Sequence, residues 1–324
     1  MRKIRTFITL LKILRHCSVI EGFLTNIEGT DSVVEAFIEG CNGKLHPNSV
    51  KEINTFDTGD WPTFNMQAWT KNPVVFFGAI RGTETILQEA LKRKHTFYSL
   101  DHAYFHRQSI CAFDRHAPGR YGRVYRCIKN QLQQNYLLYL EQRDKKRIQK
   151  YQRPSISPFK DGNHILLCPP SPSMCRVYGY DQKQWVITTI QKLKEHTDRD
   201  IIIRYKTEVK KTLKEQLKNC HALVSSQTGA AIEGVLSGVP SFCEYMSPCV
   251  PVSATNLDTI ETPFKPDTDL VNKWIDSLLA SQFTIEEIRN GTCYEAVNRL
   301  QVKNVTARKH AVTSHRVAPT QAPY

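Results

Sequence analysis

Short apolar runs alternate with amphipathic segments in the first half of the chain. The apolar run 73–80 (PVVFFGAI) ends in a turn with glycine, and the helical pattern of 83–94 (TETILQEALKRK) leads to a second apolar run at 96–101 (TFYSLD). A strand, a turn, a helix and another strand make up the βαβ unit of a parallel sheet. The pattern therefore predicts a Rossmann-like first half.

A second alternation follows residues 153–159 (RPSISPF), where two prolines in five residues mark a linker and end a long basic helix predicted over 129–153. Apolar runs at 164–168, 200–203 and 221–226 are separated by helical patterns at 183–197 and 209–220. A helix of small residues and another apolar run come next, so this half predicts a second doubly wound sheet.

The length of 324 residues suits two domains of about 120 to 160 residues each. We assign residues 1–153 to an N-terminal Rossmann-like domain that carries the basic helix, and residues 160–292 to a C-terminal Rossmann-like domain. The tail 300–324 has few large apolar residues and is predicted to be disordered. The expected fold is α/β, with two Rossmann-like domains facing each other across a cleft.

Composition narrows the choice of partners. A hydrophobic content of 40% argues against global disorder, and a net charge of +13 favours nucleic acid, an anionic membrane or a phosphorylated substrate. Ten cysteines without a Cys-x-x-Cys pair predict reduced thiols, a cytoplasmic setting and no structural metal site. Residues 1–17 are basic and amphipathic, so a signal peptide, a helix on a membrane or nucleic acid, and a first element of the fold stay open.

Ligands of open α/β sheets bind at the carboxyl ends of the strands. In the second half, short hydroxyl side chains, loop amides and two cations follow the predicted strands, which suits a diphosphate. These candidate residues are Pro170, Ser171, Arg204, Lys206, Ser225, Ser226, Gln227, Thr228 and Gly229.

Glu233 is the one acid in a helix built otherwise from small and apolar residues. It lies one to two turns after Thr228, so its carboxylate can reach back to the loop. A carboxylate accepts two hydroxyl hydrogens well, and we expect a ribose or sugar diol as its partner. The alternative is that Glu233 caps a backbone amide or lies on a solvated face.

The segment 225–242 (SSQTGAAIEGVLSGVPSF) resembles the donor-site region of GT-B glycosyltransferases. It is similar in particular to capsule-polysaccharide-type transferases and related bacteriophage sequences, and the resemblance covers roughly residues 73–290. It implies that Ser226 to Gly229 and Glu233 contact a nucleotide-sugar donor, while Arg204 and Lys206 neutralise its phosphates. It further implies no permanently bound cofactor and a metal-independent reaction, with the donor as co-substrate.

Under this resemblance the first half is the acceptor domain, and the residues after its predicted strands are candidates for acid–base chemistry. We assign this role to Arg81, Asp101 and His102, with Tyr104 and His106 nearby. The alternative for each is a structural cap or a histidine packed in the core.

The charge suggests the acceptor. Basic residues interleaved with tyrosines suit phosphate contact and base stacking. The candidates are Arg115, Arg120, Arg123, Arg126, Lys145, Lys146 and Arg147. We hypothesise that the acceptor is a hydroxymethylated base of bacteriophage DNA, flipped out of the duplex. The alternatives are a solvated positive face, a capsule or lipopolysaccharide transferase on an anionic membrane, and a non-catalytic nucleic-acid-binding protein. The oligomeric state stays open.

Overall fold

The computed structural model describes residues 19–25, 28–46, 69–80, 82–105, 124–205 and 211–302. These residues divide into two compact units. The first unit holds the described residues up to 102, together with 124–132 and 283–298, and the second unit holds 103–105, 133–205, 211–282 and 299–302. Each unit has a sheet with parallel strands and surrounding helices, which confirms the predicted α/β class.

Between residues 74 and 102 the described elements follow the strand–helix–strand order that the sequence pattern predicts. In chain order they are β1 (Glu21–Gly22), α1 (Glu28–Cys41), β2 (Lys44–Leu45), β3 (Val74–Phe77), α2 (Thr83–Lys92), β4 (Phe97–His102), β5 (Val124–Lys129), β6 (Leu138–Tyr139) and α3 (Gln142–Ile148).

The second half continues with strands that alternate with helices up to β10, except that two helices lie between β7 and β8. Its elements are β7 (His164–Cys168), α4 (Pro172–Tyr178), α5 (Gln182–Lys194), β8 (Asp200–Ile203), α6 (Leu213–Gln216), β9 (Cys220–Ser225), α7 (Ala230–Leu236), β10 (Ser241–Cys243), α8 (Thr268–Ala280), β11 (Gln282–Thr284), α9 (Ile285–Arg289), α10 (Thr292–Arg299) and β12 (Gln301–Val302).

The larger sheet has the strand order β11-β5-β4-β3-β1-β2. Strands β1 to β4 pair in parallel, while β5 runs antiparallel to β4. Its core packs Val75 and Leu100 against Phe37 of α1, and Phe283 and Ile288 join the same core. Parallel strands of this kind are apolar along their whole length because both faces are covered.

The second unit contains a fully parallel sheet in the order β10-β9-β7-β8. Helix α5 covers one face, where Val186 packs with Val224 and Phe242. Helix α7 covers the opposite face, and a Cβ added to its Gly234 would lie 3.3 Å from Leu223 Cδ1. Small residues in α7 therefore let the helix approach the sheet closely, as the sequence pattern suggests.

The long basic helix predicted over 129–153 is wrong. Strand β5 ends at Lys129, and Asn130 takes a left-handed φ of 59°, which stops regular structure. The chain then forms β6, which pairs antiparallel with β12, before a capping box between Glu141 and Asp144 starts the short helix α3. The apolar residues at 132 and 137 are buried at a spacing that does not fit one helix face.

The division into units also differs from the predicted boundaries. Residues 133–153 belong to the second unit, and residues 283–298 return to the first. The predicted linker packs onto the second unit, since Ser157 N–H donates to Leu236 O at 2.8 Å and Lys160 N–H to Gly238 O at 3.0 Å. The helical pattern after residue 267 is interrupted by β11, whose Phe283 is fully buried.

The described ranges include only part of the cysteines and only the first residues of the C-terminal tail. The eight cysteines within the described ranges are free thiols. Within those ranges no helix is long and apolar enough to cross a membrane. The basic N-terminal segment 1–17 and the tail from 303 onwards lie outside the described residues.

Candidate functional site

The strand order of the second unit creates a topological switch point between β7 and β9. The chain leaves β7 toward β8 on one side and leaves β9 toward β10 on the other, so the two connections diverge. In such sheets the crevice at the carboxyl ends of the two central strands is the usual ligand site. Cys168 and Ser225 are paired at these ends, which brings together two sequence-predicted loops. We call residues 169–171 the β7 loop and residues 226–229 the β9 loop.

The β9 loop carries polar groups without partners. The backbone N–H groups of Gln227, Thr228 and Gly229 donate to no acceptor among the described residues. Gln227 is only 9% exposed, yet its amide nitrogen and oxygen have no partner in that part of the chain, and the same holds for Thr228 Oγ1. An unpaired buried polar group costs about 1–3 kcal/mol, so this loop favours a polar ligand or water.

Gly229 leaves space beside these groups. Its φ is −62°, which any residue adopts, and a Cβ added there would meet no atom within 4 Å. Ser225 and Ser226, by contrast, are 2% and 1% exposed and support the loop from inside the protein. The open side of the loop is therefore the stretch from Gln227 to Gly229.

Arg204 and Glu233 both lie near the carboxyl end of β7. Arg204 follows β8, and its guanidinium donates to Lys211 O at 2.9 Å and to Gln216 Oε1. Glu233 is exposed overall, but partial burial of its carboxylate raises its pKa. The positive charge of Arg204 lowers this pKa by a smaller amount. Burial raises the pKa of the Cys168 thiol to about 12, and both charges act on that thiol. Lys206 lies outside the described residues.

The β7 loop contributes fewer donors than the sequence suggested. Pro170 has no N–H group, and its carbonyl accepts a hydrogen bond from Gln182 Nε2 at 2.6 Å. Ser171 caps α4, because its Oγ accepts from Met174 N–H at 3.3 Å. Both residues lie at the switch point, but their polar atoms hold α4 and α5 in place.

The first unit shows how Asp101 and His102 are held at the end of β4. Asp101 pairs across the sheet with Arg126, whose Nη2 lies 2.5 Å from Asp101 Oδ2, while Asp101 Oδ1 accepts from His102 N–H at 2.7 Å. The His102 ring packs edge-on against the Phe77 ring, with ring centroids 5.4 Å apart. These contacts match the structural alternative for Asp101, and a catalytic role stays a prediction. Arg81 lies outside the described residues.

The predicted nucleic-acid residues differ in their surroundings. Arg126 is 13% exposed and is held by Asp101. Arg147 donates to Ala280 O at the end of α8 and to Gln282 O at the start of β11, the latter at 2.7 Å. Lys145 and Lys146 are exposed on α3, while Arg115, Arg120 and Arg123 lie outside the described residues. Two of the four described cations are therefore bound within the protein, which does not favour phosphate contact through them.

Two Asp-x-Asp sequences, at 198–200 and 267–269, contain the kind of carboxylate pair that can hold a metal ion. Asp267 caps α8 by accepting from Leu270 N–H at 2.7 Å. No group of three or more His, Cys, Asp or Glu side chains that could hold a metal ion occurs within the described ranges.

Glu244 is a further acid at the same edge of the sheet, directly after β10, and it is not among the candidates predicted from the sequence. Glu244 Oε1 accepts from Trp185 Nε1 at 2.8 Å, and its backbone N–H donates to Ser226 O at 3.3 Å. An acid directly after an apolar strand is the signal that could have identified it. Glu244 therefore borders the β9 loop.

No family model and no curated protein matches the chain. Among solved structures, the chain is similar to a Thermosulfurimonas dismutans KpsC beta Kdo 2,4 transferase, at 12% identity and a TM-score of 0.41 over 82% of this chain and 91% of that one. It is also similar to a KpsC beta Kdo 2,7 transferase of the same organism, at 11% identity and a TM-score of 0.44 over 86% and 99% of the two chains. The function proposed below rests on the residues of the site itself.

Proposed function

We propose that the protein is a glycosyltransferase whose second unit binds a nucleotide sugar. One observation carries the proposal: at the switch point of a parallel sheet, the β9 loop presents three successive N–H groups that have no acceptor in the part of the chain that the structure describes. Successive amides of this kind form an anion-binding site, and a nucleoside diphosphate has the matching charge and size. Arg204 and Glu233 at the same edge add a cation for phosphate and an acceptor for hydroxyl groups.

The donor half of the reaction follows from these groups. When the bond between the sugar and the diphosphate breaks, negative charge grows on the departing phosphate, and fixed N–H donors with Arg204 stabilise it. We assign the same task to Lys206. Glu233 accepts hydrogen bonds from the hydroxyls of the transferred sugar. The fold type we propose is GT-B and the reaction metal-independent, since the amides and cations take the place of a metal ion.

The acceptor half needs a group that takes the proton from the attacking hydroxyl. Both carboxylate oxygens of Asp101 already accept hydrogen bonds, so His102 is the better candidate of the two. Arg81 follows β3 in the sequence, and we keep it as a candidate cation for the acceptor half of the reaction. His102→Gln tests the assignment, because it should lower the transfer rate while leaving nucleotide affinity unchanged.

For the acceptor we propose DNA with hydroxymethylated bases, on the strength of the +13 charge and the exposed Lys145 and Lys146. A saccharide acceptor is the second candidate. It is favoured because Arg126 and Arg147 bind other groups of the protein and are not directed at a phosphate backbone. Radiolabelled nucleotide sugars incubated with hydroxymethylated DNA or with oligosaccharides separate the two. Label in DNA supports the first, and label in oligosaccharide alone overturns it.

The donor proposal itself is tested by melting temperature. A ligand that binds only the folded protein raises the melting temperature, by an amount that grows with its concentration relative to its Kd. We expect at least one nucleoside mono- or diphosphate to do so, and Glu233→Ala to weaken the effect. Arg176→Gln is the control, because Arg176 is exposed on α4 of the same unit and lies outside the site. A shift by DNA but by no nucleotide would favour a non-catalytic nucleic-acid-binding protein.

A further inference from the structure

Strand β8 forms one edge of the four-stranded sheet of the second unit. Within the described ranges it pairs only with β7, in parallel and in continuous register. Arg204 N–H donates to Leu167 O at 2.8 Å, so the backbone groups of Arg204 point toward β7. Because these groups alternate in direction along a strand, the N–H and C=O groups of Ile201 and Ile203 point away from the sheet. They have no hydrogen-bond partner in the part of the chain that the structure describes.

The opposite edge of the same sheet is covered. Along β10, Cys243 N–H donates to Ala254 O at 2.9 Å, and Ala254 N–H donates to Ser241 O at 3.0 Å. The segment around Ala254 therefore takes the place of a further strand beside β10. As far as the described residues show, β8 is the edge of this sheet that can accept another strand.

The side chains of β8 leave apolar surface at its edge. Edge strands are usually protected by a charged residue, a proline or a bulge, and none of these interrupts the three isoleucines 201–203. Ile202 is 39% exposed and Ile203 is 38% exposed. Unpaired backbone groups together with exposed β-branched side chains favour pairing with another strand.

The sequence 200–204 (DIIIR) is complementary to itself when two copies run antiparallel. If Ile202 lies opposite Ile202 of a second copy, Ile201 lies opposite Ile203, and their backbone groups form reciprocal hydrogen bonds on both sides of the twofold axis. Asp200 then lies opposite Arg204, and opposite charges at such positions stabilise the pair. A shift of two residues in either direction would place Asp200 or Arg204 opposite Ile202 instead.

Both charged residues are available for this contact. Asp200 is exposed, and its carboxylate has no ion pair or hydrogen bond with the described residues. The hydrogen bonds of Arg204 to that part of the chain use only Nη1. Asp200, Ile202 and Arg204 lie on one face of the strand, so the two ion pairs would flank the central isoleucines.

We propose that the protein forms a symmetric dimer in which the β8 strands of two copies pair antiparallel about Ile202 and join their four-stranded sheets into one. This pairing uses the β8 edge of both copies and leaves the covered β10 edges outermost, so assembly stops at two copies. The contact is smaller than a standard interface, and we expect a dissociation constant of about 1 to 100 µM. The inference does not depend on the nucleotide-sugar site proposed above.

Sedimentation velocity of the full chain, from about 1 to 300 µM, tests the dimer. The protein should change from monomer to dimer over this range. Ile202→Lys places two like charges at the twofold axis and should weaken dimerisation at least tenfold. Leu91→Lys is the control, because Leu91 is 51% exposed on α2 of the first unit, and this variant should dimerise like the unsubstituted protein. A protein that stays monomeric throughout, or an Ile202→Lys variant that dimerises unchanged, overturns the proposal.

Cysteine cross-linking tests the register. Directly opposite residues that do not exchange hydrogen bonds have Cα atoms about 4.5 Å apart, within reach of a disulfide. Ile202→Cys should therefore give a covalent dimer when oxidised in air with copper phenanthroline. Ile203→Cys is similarly exposed but would lie diagonally from its own copy, about 7 to 8 Å away, and should cross-link much less.

The unsubstituted protein, oxidised in parallel, gives the background from its own cysteines. Equal cross-linking of Ile202→Cys and Ile203→Cys would contradict pairing about Ile202. Should Ile202→Lys fail to fold, the two cysteine variants still decide the question. Preferential cross-linking at 202 supports the proposed dimer, and cross-linking at background level in both variants overturns it.

Discussion

Replacing Gly229 by Asp adds a negative charge beside the unpaired N–H groups of the β9 loop. The backbone at 229 suits any residue, and a side chain there meets no atom within 4 Å of its Cβ. Asp is also a favourable residue directly before a helix. We therefore expect Gly229→Asp to fold with a stability within about 0.5 kcal/mol of the unsubstituted protein, as for other uncrowded surface positions.

The effect on binding follows from Coulomb repulsion. An Asp carboxylate at 229 lies roughly 5 Å from a phosphate held by the adjacent N–H groups, where two unit charges repel by roughly 1 to 3 kcal/mol for effective dielectric constants between about 80 and 20. Because 1.4 kcal/mol corresponds to a tenfold change, a nucleoside diphosphate should bind about 5 to 150 times more weakly. Gly229→Asn has nearly the same shape without the charge and should lose much less.

Titration calorimetry of both variants, at low salt and at about 0.5 M salt, checks the reasoning. The gap between Asp and Asn should narrow at high salt because screening shortens the range of the repulsion. If the unsubstituted protein binds the nucleotide and the two variants bind it equally well, the phosphates do not lie at the β9 loop.

Three further predictions concern stability. Desolvation raises the pKa of Glu233 in the folded protein above its ordinary value of 4.5. Ionisation of Glu233 therefore lowers the stability of the folded protein as the pH rises from 4.5 through the raised pKa. Glu233→Gln should melt higher than the unsubstituted protein near neutral pH and at the same temperature below about pH 4. Asp144 is 1% exposed and accepts hydrogen bonds from Nη1 and Nη2 of Arg299 at 2.9 and 2.7 Å. Asp144→Asn should therefore lower the free energy of unfolding by about 3 kcal/mol, measured by denaturant titration. This is the lower end of the range for a broken buried ion pair, because Arg299 is partly exposed. Gly234→Ala places a Cβ 2.9 Å from Ser241 Oγ, and we expect a loss of about 1–3 kcal/mol with nucleotide affinity unchanged.

The four-stranded sheet of the second unit could be predicted well because local patterns determine it. Each of its central strands is a continuous apolar run buried on both faces, and each crossover carries its own turn and capping residues. The β9 loop follows β9 directly in sequence, so the rule that ligands bind at carboxyl ends was enough to find it. The buried amide of Gln227 and the open space at Gly229 could not be predicted from the sequence, because they depend on how the loop packs in the folded protein.

Other features depend on contacts between distant parts of the chain. Phe283 and Ile288 join the core of the first unit, a return that no local pattern signals. The ion pair of Asp101 with Arg126 depends on an antiparallel neighbour 25 residues away. The hydrogen bond from Trp185 to Glu244 depends on the strand order that places β10 at an edge of the sheet and on the packing of α5.

Hydrogen exchange with and without a saturating nucleoside diphosphate tests the central claim most directly. The N–H groups of Gln227, Thr228 and Gly229 have no acceptor among the described residues, so they should exchange fast in the free protein. A bound diphosphate should slow exchange in a peptide covering 225–233. Nucleotide binding that leaves 225–233 unprotected would contradict the proposed site.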